Sequence, residues 1–156
     1  MNDLDFIDFS ILALLQENAD LSLQDIAKAV NLSSNPCWKR IQKMEDAGII
    51  KKRVALLDAA KLGLGLTVFV QVRAAEHSEA WLEEFAAAVR QIPEIVEFYR
   101  MTGEVDYLIK MRVADMAGYD RAYKRLIGAA RLGDCSASFA MEEIKATTAI
   151  PLPSRR

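Results

Sequence analysis

Residues 22–48, SLQDIAKAVNLSSNPCWKRIQKMEDAG, decide how this chain is built. Leu23, Ile26, Ala27 and Val30 recur at helical spacing, and so do Ile41, Met44 and Ala47, which predicts two helices with one apolar face each. Ser22 stands before the first run as an N-cap, with Asp25 in the first turn, where a carboxylate suits the positive helix end. Asn31-Leu32-Ser33-Ser34 reads as a short turn and a second cap, and Pro36 falls so early in the next helix, over 35–47, that its missing N–H costs no helical bond. Gly48 follows the last periodic residue, as a left-handed C-terminal cap requires. Two helices joined by only about three or four residues have the geometry of a helix-turn-helix.

Working outward, Leu4, Ile7, Ile11, Leu14 and Leu15 form a further helical stripe upstream. Downstream of Gly48 the pattern turns to β: 49–57 (IIKKRVALL) reads as a short strand or wing, and 58–65, with two glycines, as a linker. Then come a strand over 66–74, a helix over 78–91, strands over 95–101 and 105–113, a helix over 116–128 and a strand over 136–147. Val68, Val70 and Val72 share one strand face, as do Tyr107, Ile109 and Met111. The order βαββαβ predicts a ferredoxin-like, four-stranded antiparallel sheet with its helices on one face. The fold class is therefore α+β: a winged helix-turn-helix over 1–57, a linker over 58–65, an α/β sandwich over 66–150 and a tail over 151–156. The bare face of such a sheet needs cover, which points to a dimer.

With 156 residues and 52% apolar content, the chain is one or two small domains with room for a real core. Lys+Arg 20 against Asp+Glu 22 leaves a formal charge of −2, which argues nothing for nucleic acid. By segment, however, 1–33 carries −5, 34–53 carries +4 and 54–156 carries −1. A basic island in an acidic chain is the electrostatic sign of a local anion-binding surface. Cys37 and Cys135 with a single histidine, His77, build neither a disulfide framework nor a zinc site, so no metal is expected. The opening MNDLDFIDFS has no basic n-region, and no apolar run approaches the roughly 20 residues that span a bilayer. A cytoplasmic protein with no membrane partner is expected.

The island lies on the third helix and just after it. Lys39, Arg40 and Lys43 fall within little more than one turn, beside Trp38 and Gln42, while Ile41, Met44 and Ala47 face the preceding helices. One packed face and one basic, amide-bearing face suit a helix entering the major groove of double-stranded DNA, where Arg and Lys read guanine and Gln reads adenine. Ser34 and Asn35, at the start of that helix, are placed to join the contact. Lys51, Lys52 and Arg53 would sit on flanking phosphates, positioning without specifying. The plainer meaning of such a cluster is a solvated charged face; the short turn and the following wing favour DNA. A dimer making on the order of six to ten phosphate contacts would lose about three to five decades of affinity between 50 and 200 mM salt.

Between the second and third sandwich strands stands Thr102-Gly103-Glu104-Val105-Asp106-Tyr107. Gly103 permits a tight turn with exposed backbone N–H groups, a cradle for a carboxylate, and Asp106 beside it can take an α-ammonium group. On the residues alone, the plain hairpin turn between two strands is the favoured reading of the same stretch. Elsewhere, Cys37 reads as a small packing residue, and an enzyme built on Cys135 and His77 lacks any phosphate loop, metal cluster or carboxylate pair to support it. The chain is not expected to be an enzyme. An amino-acid sensor acting through protein partners without DNA is the remaining alternative, against which the six bases of the island speak.

The run DFSILALLQENADLSLQDIAKAVNLSSNPCWKRIQKMEDAGII, the turn RMTGEVDYLIKMRVADM and the tail SFAMEEIKATTAIPL together resemble the Lrp/AsnC (feast/famine) transcriptional regulators over essentially the whole chain. That resemblance implies a winged helix-turn-helix followed by a ligand-responsive sandwich, dimers formed through the sandwich, dimers assembled into octamers, and DNA contacts on the third helix. It also implies an amino-acid effector near the turn, with Gly103, Glu104, Asp106 and Tyr107 matching by position and Ser136 and Ser138 as looser candidates from a neighbouring subunit. PCWKR, RVALLD, GLGLTVFV, YRMTGEVDY and the spacing of His77, Ser78 and Trp81 are similar to a branch containing a cysteine-responsive regulator of cysteine detoxification. Ser34-Asn35 before Pro36 departs from the small Thr or Ser residues frequent there.

Overall fold

Capping chemistry sets where the N-terminal helices begin and stop. In the structure, a computed structural model describing residues 4–129 and 132–153, α1 (Phe6–Glu17) starts at Asp5. The Asp5 carboxylate accepts from the Asp8 N–H at 2.9 Å and the Asp8 carboxylate accepts from the Asp5 N–H at 3.0 Å, a reciprocal capping box. Helix α2 (Leu23–Ala29) is capped as expected by Ser22, whose hydroxyl oxygen accepts from the Asp25 N–H at 3.1 Å. It stops because Asn31 takes φ +56°: the Asn31 N–H reaches the Lys28 carbonyl at 3.2 Å and the Leu32 N–H the Ala27 carbonyl at 2.8 Å. That pair of bonds is a Schellman turn, satisfying carbonyls that the helix leaves open.

Helix α3 (Ser34–Asp46) begins one residue sooner than the sequence reading places it. Ser33, not Ser34, is the N-cap, and its hydroxyl makes no capping bond. The far end matches expectation: Gly48 has φ +69°, its N–H reaches the Glu45 carbonyl, and the Ile49 N–H reaches the Met44 carbonyl, both at 2.9 Å. Ile11, Ile26, Ala27, Cys37, Ile41 and Met44 close into one core between the three helices. Cys37 is fully buried there, and burial pushes its thiol pKa up, away from reactivity.

The strand expected over 49–57 is not formed. A strand exists only through its ladder, and none of the described strands pairs with this segment, so 51–58 runs exposed as an arm without regular structure. The expected linker contains an ordered turn: Asp58 accepts from the Lys61 N–H at 3.1 Å, and Gly63 closes the turn at φ +75°.

The second unit contains β1 (Leu66–Ala74), α4 (Glu79–Arg90), β2 (Ile95–Arg100), β3 (Tyr107–Val113), α5 (Met116–Ala129) and β4 (Leu132–Phe139). Its sheet has the order β2-β3-β1-β4, antiparallel throughout, which is the expected ferredoxin-like arrangement. Register places Val68 opposite Met111, Val70 opposite Ile109 and Val72 opposite Tyr107 on the face covered by Trp81, Phe85 and Val89 of α4 and Ala122 and Leu126 of α5. Phe85 packs against the rings of Trp81, Phe98 and Tyr107 with centroids 4.9–5.8 Å apart. The opposite face, with Phe69, Gln71 and Arg73 on β1 and Leu108, Lys110 and Arg112 on β3, carries no helix.

Three strands have limits that differ from the sequence reading. β2 stops at Arg100 and β3 starts at Tyr107, because 101–106 is spent on the turn. β4 lies over 132–139, not 136–147. Val68 pairs with Phe139 and the Ala140 N–H reaches the Thr67 carbonyl, so beyond that point β1, which begins at Leu66, offers nothing to pair with. The chain thus divides into two units, one comprising 57–144 and the other 4–56 together with 145–153. In the latter the Gln16 side-chain amide brackets Ile150, donating to its carbonyl and accepting from its N–H, both at 3.1 Å. The tail expected over 151–156 is described only to Pro153.

Candidate nucleic-acid interface and effector turn

Because α3 buries Cys37, Ile41 and Met44, its other residues form an outward surface in two stripes. Asn35, Lys39 and Lys43 fall at i, i+4 and i+8, and Ser34, Trp38 and Gln42 do the same alongside them. Ser34, Asn35, Trp38, Lys39 and Lys43 are exposed, and Trp38 leaves 49% of its surface in solvent, an unusual cost for a large ring unless something covers it. Lys51, Lys52 and Arg53 follow on the exposed arm.

Arg40 is placed differently. Its Nη1 donates to Asp5 Oδ2 and Asp8 Oδ1, both at 2.8 Å, so its guanidinium joins α3 to the capping box of α1. Asp8 is buried, and those bonds, the Asp8 one foremost, push the Arg40 pKa up. The Asp5 carboxyl is held below the usual carboxylate range by the Asp8 N–H and by Arg40. Neither partner was singled out in the sequence; two acids at the start of a helix look only like capping residues. Glu45 was also missed. It accepts from Gln42 Nε2 at 2.7 Å and from Arg53 Nη2 at 3.0 Å, linking the helix surface to the arm.

At the sandwich turn, Gly103 has φ +111°, the left-handed region that glycine tolerates, and both Gly103 and Glu104 are exposed. The turn is pinned from β1: the Arg73 Nε–H donates to the Glu104 carbonyl at 2.9 Å, and Asp106 Oδ2 accepts from the Ala74 N–H at 2.9 Å. Asp106 Oδ1 lies 3.9 Å from His77 Nδ1. Arg73 and His77 are therefore neighbours of the turn that local spacing concealed. Tyr107 is brought elsewhere: it is buried within the ring cluster beneath α4. Ser136 and Ser138 are exposed on β4, opposite Gln71 and Phe69, and so lie across β1 from the turn. Cys135 is partly buried, with its pKa raised by burial, on the wall of a shallow, open surface hollow lined also by Tyr123, Leu132 and Asp134.

Comparison with known proteins decides what this pair of units is. Residues 4–51 match a winged helix-turn-helix DNA-binding domain, and residues 67–150 match the Lrp/AsnC ligand binding domain. The chain belongs to the Lrp/AsnC family. It is 51% identical over 150 residues to the DNA-binding transcriptional activator DecR of Escherichia coli strain K12, covering 96% of this chain and 99% of that protein. An AsnC family transcriptional regulator from Agrobacterium tumefaciens superposes with a TM-score of 0.92 at 52% identity, over 95% of this chain and 97% of the other. A transcriptional regulator from Neisseria meningitidis solved in complex with L-methionine gives a TM-score of 0.89 at 36% identity, over 95% and 96% of the two chains. This Lrp/AsnC protein is accordingly a DNA-binding transcriptional regulator and not an enzyme. Among the described residues, no helix is long and apolar enough to cross a membrane.

Proposed function

We propose that this regulator binds operator DNA through the outer surface of α3 and that a small amino acid, held at the turn over 103–106, changes its occupancy or its assembly. Lys39, Lys43, Trp38, Gln42, Ser34 and Asn35 face the major groove in this reading, and Lys51, Lys52 and Arg53 lie on phosphates. Arg40 acts from behind, fixing α3 against α1. The observation that carries the DNA reading is the concentration of exposed cations on the outward face of α3, Lys39 and Lys43, and on the arm that follows it, Lys51, Lys52 and Arg53.

For the effector, the exposed Gly103 and Glu104 backbone offers donors to an α-carboxylate, and Asp106 Oδ1 offers a charged acceptor to an α-ammonium. The relative crystallised with L-methionine supports an amino acid as the ligand class. Cysteine is the first to test, on the branch resemblance. Dimers formed over the helix-free face of the sheet, assembled further into octamers, would bring Ser136 and Ser138 of a neighbour to such a site. The protein then works in the cytoplasm. Thermal unfolding in the presence of each of the twenty amino acids tests the effector claim: cysteine or another small amino acid raises the midpoint, and no shift from any of them overturns it.

A further inference from the structure

Gln42, Glu45 and Arg53 form a connected set on the surface that the proposed function assigns to DNA, and the inference below rests on that assignment. Glu45 lies one turn after Gln42 on α3 and is itself only 33% exposed at its side chain. One carboxylate oxygen accepts from Gln42 Nε2 at 2.7 Å; the other accepts from Arg53 Nη2 at 3.0 Å. A carboxylate only accepts, so the Gln42 amide has no choice of orientation: its NH₂ edge must face Glu45. What remains for a partner in front of the helix is the Oε1 acceptor and the second N–H donor, side by side in a known order.

In the major groove adenine shows an N6 donor beside an N7 acceptor, guanine shows two acceptors, N7 and O6, and thymine shows an acceptor and a methyl group. The amide as Glu45 holds it complements adenine, and it sets Oε1 against the O6 lone pairs of guanine. We infer that Glu45 is a positioning residue for sequence reading: it locks Gln42 as an adenine reader and, through Arg53, ties that reading to the arm that follows the helix. Without the carboxylate, the amide turns over freely. With glutamine at 45, an N–H can be offered to Gln42 Oε1, which frees both Gln42 N–H groups to face the two guanine acceptors.

The test is selection and competitive binding of random duplexes by the full-length protein, its Gln42→Ala and Glu45→Gln variants, and a Lys39→Ala/Lys43→Ala control. The wild type should prefer adenine at one position of each half-site by about tenfold or more over guanine. Gln42→Ala should lose that preference at that position alone. Glu45→Gln, which keeps the shape and a bond to Gln42, should accept guanine there about as well as adenine, with preferences elsewhere unchanged and the thermal midpoint preserved. A change of affinity in Glu45→Gln that leaves the adenine preference intact, or identical base preferences in all three proteins, overturns the inference. If the lysine control also binds as the wild type does, the reading of the α3 surface itself fails; if that control is weakened while Gln42→Ala loses the adenine preference and Glu45→Gln keeps it, only the role of Glu45 fails.

Discussion

At the scale of single residues, Arg40 shows how charge on α3 can be held within the fold. Its two bonds to Asp5 and Asp8 span 35 and 32 positions of sequence, so no local spacing reveals them. Removing it leaves Asp8, a buried carboxylate, without its cation; because Arg40 is itself partly exposed, the loss should be about 1–2 kcal/mol, below that of a fully buried pair. Asp8→Asn should cost a similar amount, and the double substitution less than the sum, in chemical denaturation. Binding to DNA discriminates further. Lys51→Ala should flatten the dependence of log affinity on log salt by about 0.9 for each protomer engaged, as loss of one phosphate contact would, whereas Arg40→Ala should lower affinity without flattening it. An equal flattening in both variants would return Arg40 to the DNA.

Asp106 makes the same point at the turn. One of its oxygens accepts from the Ala74 N–H, where the β1–β4 register shifts, and the other lies 3.9 Å from His77 Nδ1. Asp106→Asn keeps an acceptor for Ala74 and removes the charge, so its thermal midpoint without ligand should match the wild type while the shift on adding an amino acid disappears. A full shift in that variant would make the turn purely structural. The Asp5 carboxyl, depressed by the Asp8 N–H and then by Arg40, stabilises the first unit above the ordinary carboxylate range, and that contribution goes as the pH falls through its lowered pKa.

At the scale of elements, the helices were legible because caps are local chemistry. Ser22 and Gly48 act as read, since an N-cap needs only a short side-chain oxygen and a left-handed terminus needs only the absence of Cβ. Asn31 does at φ +56° what glycine does at Gly48. Asn31→Gly should therefore be nearly neutral, while Asn31→Val should lose about 1–2 kcal/mol in denaturant unfolding by forcing a branched residue into the left-handed region. Strands were less legible, because pairing decides them. Gly133 and Asp134 are poor strand formers, yet they belong to β4; a Cβ on Gly133 would stand 3.0 Å from the Ala74 carbonyl oxygen, a close approach that a larger residue could make only if the backbone of β1 gave way. Conversely 140–147 has acceptable composition and no strand to join. The Tyr107 side chain is buried for a related reason: strand alternation sends a residue at the edge of the turn inward once β3 starts there.

At the scale of the whole molecule, the near-neutral total of −2 conceals a division of labour, with acids at the start of the chain serving as caps and as partners of the α3 cation. The sheet face without helices carries half-buried Leu108 and Phe69 among its charged neighbours. Leu108→Asp should convert the proposed dimer to monomer in sedimentation, and an unchanged mass would move the interface elsewhere. The most direct measurement is the affinity of the full-length protein for the DNA upstream of its own coding sequence between 50 and 200 mM salt, beside Lys39→Ala/Lys43→Ala. The expected result is a fall of about three to five decades for the wild type and a weaker, flatter dependence for the variant; equal affinities and equal slopes would contradict the assignment of the α3 surface to DNA.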